Sequence, residues 1–455
     1  ETKCREEKPD INILGFRDHL NKLSQKDWQE VIIQDQNQWM NHPKYEIDIR
    51  YDSLMQKIEK SCILPKNDNN HPDFQQIKDI TESSRGIEPY HTKEESSVGN
   101  YIKPKLELTE YENHWKPLLD GQGFAGRYEL RIGKSRPHLN YGDWLYCHYE
   151  PRYFDSPKII LVRLRNKSLK RRLIATFDNQ RIYIRDNYSS IIQSDTDYNL
   201  KYLLSLINSS VLNFWYRRKF DNVNINPKQF RQLPIYPADA ATQAELVENV
   251  DRILTKNAKL NEFREQGYVI RKQRDGNYLI DIPFDRLLSE VQQNNRSFST
   301  ITLFDAKAIG LINIPDRCNL QVSIGSNIYI PDRHPTSLVL RHSKLWLVIA
   351  DDNLLRYLLG YLKLSQWQGR TWDEIKNQAI LPTETNDLNT FFAAEEQRCH
   401  EIQTLLNEVA QIDAEIDEKV LDLYGIMDPS DRQRILGSAA TIEETCEEIV
   451  NEEET

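Results

Sequence analysis

Apolar residues recur in three- and four-residue steps over two long stretches. In 241–265 they are Leu246, Val250, Ile253, Leu254 and Leu260; in 388–424 they are Ile402, Leu405, Val409, Ile412, Ile416, Val420 and Leu423. Both stripes predict long amphipathic helices. The second has the seam of an antiparallel pair or coiled coil, and packing within the chain or against another copy would satisfy it equally. Helical spacing also joins Leu20, Leu23, Trp28, Val31 and Ile32, ahead of a polar break at 67–72. Between 84 and 240 the pattern changes to short β-like runs separated by turn residues, at 158–165, 173–177 and 181–184. A continuous helix is predicted over 200–220, ended by Pro227, Pro234 and Pro237. From 268 to 385 short strands return, with two runs in 338–350 and a helix over 353–364.

Two of these stretches echo each other. LKYLLSL at 200–206 leads to QLPIYP at 232–237 and then to the helix from 241. LRYLLGY at 355–361 leads to ILPT at 380–383 and then to the helix from 388. The order is mixed β, helix, Leu-Pro exit and long spacer helix, given twice. Duplication and a coincidence of common packing elements both account for it, and similar modules are the reading preferred here.

Composition bounds the class. The 455 residues suggest two to four domains. Hydrophobic residues make up 39% and mean hydropathy is -0.67, so the 10% of aromatics must carry much of the cores. No run of apolar residues is long enough to span a membrane. The opening segment is charged and lacks a signal peptide, so a cytoplasmic location is expected; a chain beginning at Glu1 leaves a longer parent open. The six cysteines form no CxxC pair and no zinc-spaced cluster, which predicts reduced thiols.

Net charge is -10, which by itself argues against a polyanionic partner. The distribution reverses that: residues 121–240 hold 20 Lys and Arg against 10 Asp and Glu, whereas 441–455 hold seven Glu and no base. The local sign is therefore the useful quantity. Cations cluster at Arg163, Arg165, Lys167, Lys170, Arg171 and Arg172, and again at Arg217, Arg218 and Lys219 after Phe214, Trp215 and Tyr216. Such groups neutralise phosphates and release counterions; a solvated surface hairpin is the plainer alternative. Catalytic signatures are missing: no GxGxxG after a strand, no GxxxxGK[ST], HExxH or GxSxG. NHPKY at 41–45 and NPK at 226–228 fall short of an Asn-Pro-Pro-aromatic loop and read as turns.

Several phrases, in order, resemble the C-terminal target-recognition region of TaqI- and Eco57I-type adenine-N6 DNA methyltransferases and of fused type II restriction–modification enzymes. They are SRGIEPY (84–90), LLDGQGFAGRYELRI (118–132), HLNYGDWL (138–145), PRYFDSPKIILVRLR (151–165), YLLSLINSSVLNFWYRRKF (202–220) and NPKQFRQLPIYP (226–237). IDEKVLDLYGI at 416–426 resembles the helical end of the larger fused enzymes. The resemblance implies a DNA-reading module beside a catalytic domain. The motif for S-adenosylmethionine and the Asn-Pro-Pro-Tyr loop precede this region in the family and are not found here. No catalytic residue, cofactor-binding residue or metal ligand is therefore assigned, and S-adenosylmethionine is expected only for a catalytic domain outside this chain.

The expected fold is α+β: a mixed-sheet TaqI-like specificity domain, a second smaller α+β unit and long spacer or coiled-coil helices. Its parts are a helical linker (1–80), the recognition domain (81–240), a spacer helix (241–267), a second recognition-like unit (268–385), a long helix (386–428) and an acidic tail expected to be disordered (429–455). The expected partners are double-stranded DNA and a methyltransferase domain or subunit, with no membrane. The phosphate contacts are expected from Arg163, Arg165, Lys167, Lys170, Arg171, Arg172, Arg217, Arg218 and Lys219. For Arg163, in a strand, pairing with a buried carboxylate competes. Arg136 and His138 are the base-readout candidates, and Tyr90 and Trp144 are read as core aromatics. A separate type I-like specificity subunit is the first alternative, and a protein-interaction scaffold without DNA binding is the second.

Overall fold

The structure is a computed structural model and describes residues 11–15, 30–34, 53–63, 74–92, 101–103, 115–119, 124–132, 137–163, 171–220, 222, 224–272, 277–283, 300–302, 312–313, 328–329, 337–340, 345–349, 351–362, 367, 372–382 and 385–438. The chain opens with β1 (Ile11–Gly15), β2 (Glu30–Gln34), α1 (Ser53–Ser61), α2 (Ile77–Ile80), β3 (Thr81–Arg85), β4 (Ile102–Lys103) and β5 (Trp115–Leu119). It continues through β6 (Phe124–Gly126), β7 (Glu129–Arg131), β8 (His138–Asn140), α3 (Arg152–Asp155), β9 (Lys158–Val162), β10 (Ala175–Asp178), β11 (Tyr183–Ile184) and β12 (Tyr188–Gln193). Helices α4 (Leu200–Asn208), α5 (Ser210–Lys219), α6 (Pro227–Phe230) and α7 (Ala240–Glu265) follow. Next come β13 (Val269–Lys272), β14 (Tyr278–Asp281), β15 (Thr300–Thr302), β16 (Ile312–Asn313), β17 (Ile328–Tyr329), β18 (Ser337–Leu340) and β19 (Leu345–Ile349). The last elements are α8 (Asp352–Tyr361), α9 (Trp372–Gln378), β20 (Ile380–Pro382), α10 (Thr385–Leu423) and α11 (Pro429–Ser438).

This is an α+β chain of two compact units, one formed by residues 1–261 with 406–455 and the other by 262–405. The first unit holds two four-stranded sheets. One is fully antiparallel in the order β10-β9-β12-β3; the other runs β11-β5-β8-β4, with only the β11–β5 pairing parallel. Strand β9 reads KIILV and is buried at every position, so it sits at the centre of its sheet. Its Lys158 is held by the Phe154 carbonyl at 2.6 Å and by the Asp178 carboxylate. Ile87, Leu118, Leu119, Leu139, Phe154, Ile160 and Tyr183 form the core next to the second sheet.

The helical stretch at 200–220 is two helices, not one. Ser209 adopts an extended backbone, and its hydroxyl accepts from the Leu212 N–H at 3.2 Å, capping α5 and ending α4. Two asparagines of these helices hold the edge of the first sheet. The Asn208 amide accepts from and donates to the backbone of Ala175, each at 2.9 Å. Asn213 Oδ1 accepts from the N–H groups of Arg172 and Leu173, at 2.8 and 2.7 Å. Buried backbone must find such partners.

Two other local expectations change. Val31 and Ile32 have helical spacing in the sequence, yet they lie in β2, paired antiparallel with β1; Leu20, Leu23 and Trp28 fall outside the described residues. The tail expected to be disordered from 429 begins with α11. Gly425, at φ +68°, stops α10, and Arg432 donates to the Ile426 carbonyl at 2.8 Å, which fastens the start of α11.

The two sequence echoes become two similar arrangements, each within its own unit. In the first, the Tyr202 hydroxyl of α4 donates to the Tyr236 carbonyl of the Leu-Pro exit at 2.6 Å, and Lys201 pairs with Asp251 of α7 at 2.5 Å. In the second, Tyr357 of α8 donates to the Ile380 carbonyl at 2.9 Å, and Arg356 pairs with Glu396 of α10 at 2.7 Å. Both helices are capped by a side chain, Asn199 in one and Asp351 in the other. Among the described residues no helix is long and apolar enough to cross a membrane.

Candidate nucleic-acid interface

The expected phosphate contacts separate into three groups. Arg165, Lys167 and Lys170, together with Arg136, fall outside the described residues. Arg171 and Arg172 do not line the surface, contrary to expectation: each is 2% exposed. Arg171 donates to the Asn208 carbonyl and to Ser210 Oγ, and it faces Asp417 at 3.8 Å. Arg172 donates to the Asn222 carbonyl and lies 6.0 Å from the Tyr216 ring centre. Burial lowers the Arg171 pKa to about 10, with Arg127 adding to the shift, yet the group remains charged at neutral pH. Both guanidiniums are structural: Arg171 meets a countercharge, Asp417, from far along the chain, and Arg172 is held by a main-chain carbonyl.

The remaining cations are partly exposed. Arg163 donates to the Asp186 carbonyl, and its own backbone binds Asn187 and Ile225 at 2.8 and 2.9 Å. The bond goes to a main-chain oxygen, whereas the competing expectation was a buried carboxylate. Its pKa is lowered first by burial and then by Arg85. Arg217, Arg218 and Lys219 occupy the last turn of α5, where cations complement the helix dipole. Arg217 donates to the Ser438 carbonyl at the end of α11, and Arg218 lies 5.2 Å from the Phe214 ring centre.

A buried cluster ties this domain to the long helices of the same unit. The two-residue hairpin tip between β6 and β7 carries Arg127 and Tyr128, the latter at φ +58°. Arg127 pairs with Asp413 of α10, and the Tyr128 carbonyl accepts from Asn257 of α7 at 3.0 Å. Asp417, one turn along α10, accepts from Ser210 N–H and Oγ at 2.7 and 2.6 Å. Burial raises the Asp413 pKa to about 6 against the pull of Arg127.

A different surface carries exposed polar and aromatic groups. Register places Lys103 and Pro117 on either side of His138, and Trp115 opposite Asn140. All five are partly exposed, whereas Leu139 between His138 and Asn140 is buried. The Lys103 ammonium lies 5.1 Å from the Trp115 ring centre. Trp144 is 49% exposed, which corrects its reading as a core aromatic. Its indole packs over Gly142 and donates to the Asn140 carbonyl at 3.1 Å. Tyr90 is half-buried and stacks on Tyr101 with ring centres 5.3 Å apart. Gly86 of the GIEPY phrase has its own reason: a Cβ there would meet the Arg185 carbonyl oxygen at 1.8 Å.

Sequence reasoning found His138 but missed Lys103, Trp115 and Asn140. The polar-apolar-polar alternation of His138, Leu139 and Asn140 was the available signal; the cross-strand neighbours carry no local one. Among the described residues no glycine-rich turn joins a strand to a helix. Among the described residues no group of three or more His, Cys, Asp or Glu is placed to hold a metal ion.

Residues 116–235 match the TaqI-like C-terminal specificity domain. Similar solved structures include the HsdS subunit from Thermoanaerobacter tengcongensis, 13% identical, with 46% of this chain and 44% of that chain covered and a TM-score of 0.24. Another is the type I restriction–modification S subunit from M. genitalium, 10% identical, covering 82% of this chain and 97% of that chain, with a TM-score of 0.32. This chain thus spans under half the length of the first structure and nearly all of the second. No curated protein matches the chain.

Proposed function

We propose that this chain is the DNA sequence-recognition part of a restriction–modification system, positioning duplex DNA for adenine-N6 methylation by a catalytic domain or subunit outside this sequence. The observation that carries the reading is the match of residues 116–235 to the TaqI-like C-terminal specificity domain. Its chemical requirements agree with it: sequence is read by donors and acceptors on base edges, while cations fix the backbone. The half-exposed Lys103, His138 and Asn140 supply such groups on one sheet face. Methyl transfer and S-adenosylmethionine belong to the catalytic partner. A cytoplasmic site of action accords with this role.

A second arrangement has its own support. In a separate type I-like specificity subunit, two recognition units are joined by long helices. The repeated tyrosine-to-carbonyl bond and cation-to-spacer-helix pair in the two units favour that organisation. Both readings require DNA binding. Fluorescence anisotropy with a random-sequence duplex pool, titrated with salt, tests them together. A steep fall of affinity with log[salt] and enrichment of one motif is the expected result. Absence of binding at low salt overturns both and leaves the interaction-scaffold reading. Enrichment of a two-part motif with a fixed spacer selects the second arrangement, and a single uninterrupted motif the first.

A further inference from the structure

The sheet β11-β5-β8-β4 uses one face for the core and leaves the other partly open. Along β8 the strand alternation sends Leu139 into the core and His138 and Asn140 to the opposite side. Register then sets Lys103 beside His138 and Trp115 beside Asn140. Adjacent strands are about 4.8 Å apart, so β4, β8 and β5 together span roughly 10 Å, within the roughly 12 Å width of a DNA major groove. Trp144 stands at the edge of this row and holds the Asn140 main chain through its indole N–H.

Asn140 has an unusual side chain for such a place. Its Oδ1 is screened from solvent and has no hydrogen-bond partner. A screened acceptor without a donor is costly to the free protein, and because that oxygen has no bond to give up, the amide can leave this position without losing one there. The side-chain torsion of an amide is broad, and a turn about it brings the oxygen to the open face. The amide then offers one acceptor and one donor side by side. Adenine presents the complementary pair in the major groove, the N6 amino group and N7.

We propose that the open face of β4, β8 and β5 is the base-reading surface, and that Asn140 determines specificity at one adenine. It accepts from N6 and donates to N7. Lys103, held over Trp115, meets a neighbouring phosphate. This rests on the DNA-recognition reading above and assigns base reading to residues other than Arg163, Arg171 and Arg172.

The test is motif selection from a random duplex pool by the full chain and by Asn140→Ala, Asn140→Ser and Lys103→Ala, each checked for folding by thermal melting. The native chain enriches a motif containing adenine. Asn140→Ala and Asn140→Ser lose discrimination at that base pair by roughly 5- to 150-fold, with an unchanged salt slope because no charge is removed. Lys103→Ala keeps the motif and lowers the salt slope by about one. A folded Asn140 variant that retains the native preference at every position overturns the proposal while leaving the DNA-recognition reading intact. If Ala unfolds the chain, Ser decides by the same criterion; if neither variant folds, Asn140 is structural and the proposal fails. No DNA binding by the native chain overturns both.

Discussion

Arg127 and Arg171 meet Asp413 and Asp417 away from solvent, whereas Lys419, Arg252 and Lys256 meet Glu245, Glu415 and Glu408 along a partly exposed seam. Both sets join α10 to its surroundings in the same unit. The seam rises along α7 as it descends along α10, so the two helices run antiparallel there. The charges are of the same kind, but their energetics differ. In the buried set each ion has given up water, and removing one partner leaves the other uncompensated. In the seam water remains on both partners, and either loses little on release. The arginines of the sequence's basic run are thus divided by their surroundings: Arg171 and Arg172 support the domain, and Arg163 stays at its half-exposed edge.

The sharpest way to test this contrast is Asp417→Ala. It strips Arg171 of a countercharge and Ser210 of two hydrogen bonds, and a loss of about 3–5 kcal/mol is expected from the urea unfolding midpoint. A loss below about 1 kcal/mol would place the cluster with the seam and break the comparison.

Acid titration of the native chain against Asp413→Asn comes next. The folded Asp413 pKa lies at about 6, above its ordinary 3.8, because burial disfavours the carboxylate. Its contribution to stability is therefore full below 3.8 and lost as pH rises through about 6. The difference between native and variant stability should fall across that window and be flat above it. A difference that instead grows with rising pH would mean that Arg127 outweighs desolvation.

The two units can be compared in the same manner. Tyr202→Phe and Tyr357→Phe each remove one hydroxyl-to-carbonyl bond, and each should cost about 0.5–1.5 kcal/mol by denaturant unfolding. Unequal costs would show that the echo is geometric only. The smallest effect is expected from Lys256→Ala in the seam, about 0–1 kcal/mol, and it should shrink as salt is added.

Much of the fold was legible. Long stripes such as Leu246 to Leu260 and Ile402 to Leu423 announce helices because their period is sustained over many turns. Apolar runs such as Lys158–Val162 announce strands. The break at Ser209 was not legible, because the apolar pattern continues through it and only the backbone at one serine changes. The strand at Val31 and Ile32 was missed because short segments satisfy helical and strand spacing alike. For the interface, His138 was legible within its phrase, but Lys103 and Trp115 become its neighbours only through register.

The sequence by itself determined the class, the two spacer helices, the repeated Leu-Pro exits and the phrases of the specificity domain. Each of these is a local pattern, written in residues close along the chain. Tertiary structure decided which cations are buried and which residues share the open sheet face. Arg171 and Asp417 are 246 positions apart, and Lys103 and His138 are 35 apart. Whether a charge is solvated or paired depends on what folds against it, and that information resides in contacts rather than in the local order of residues.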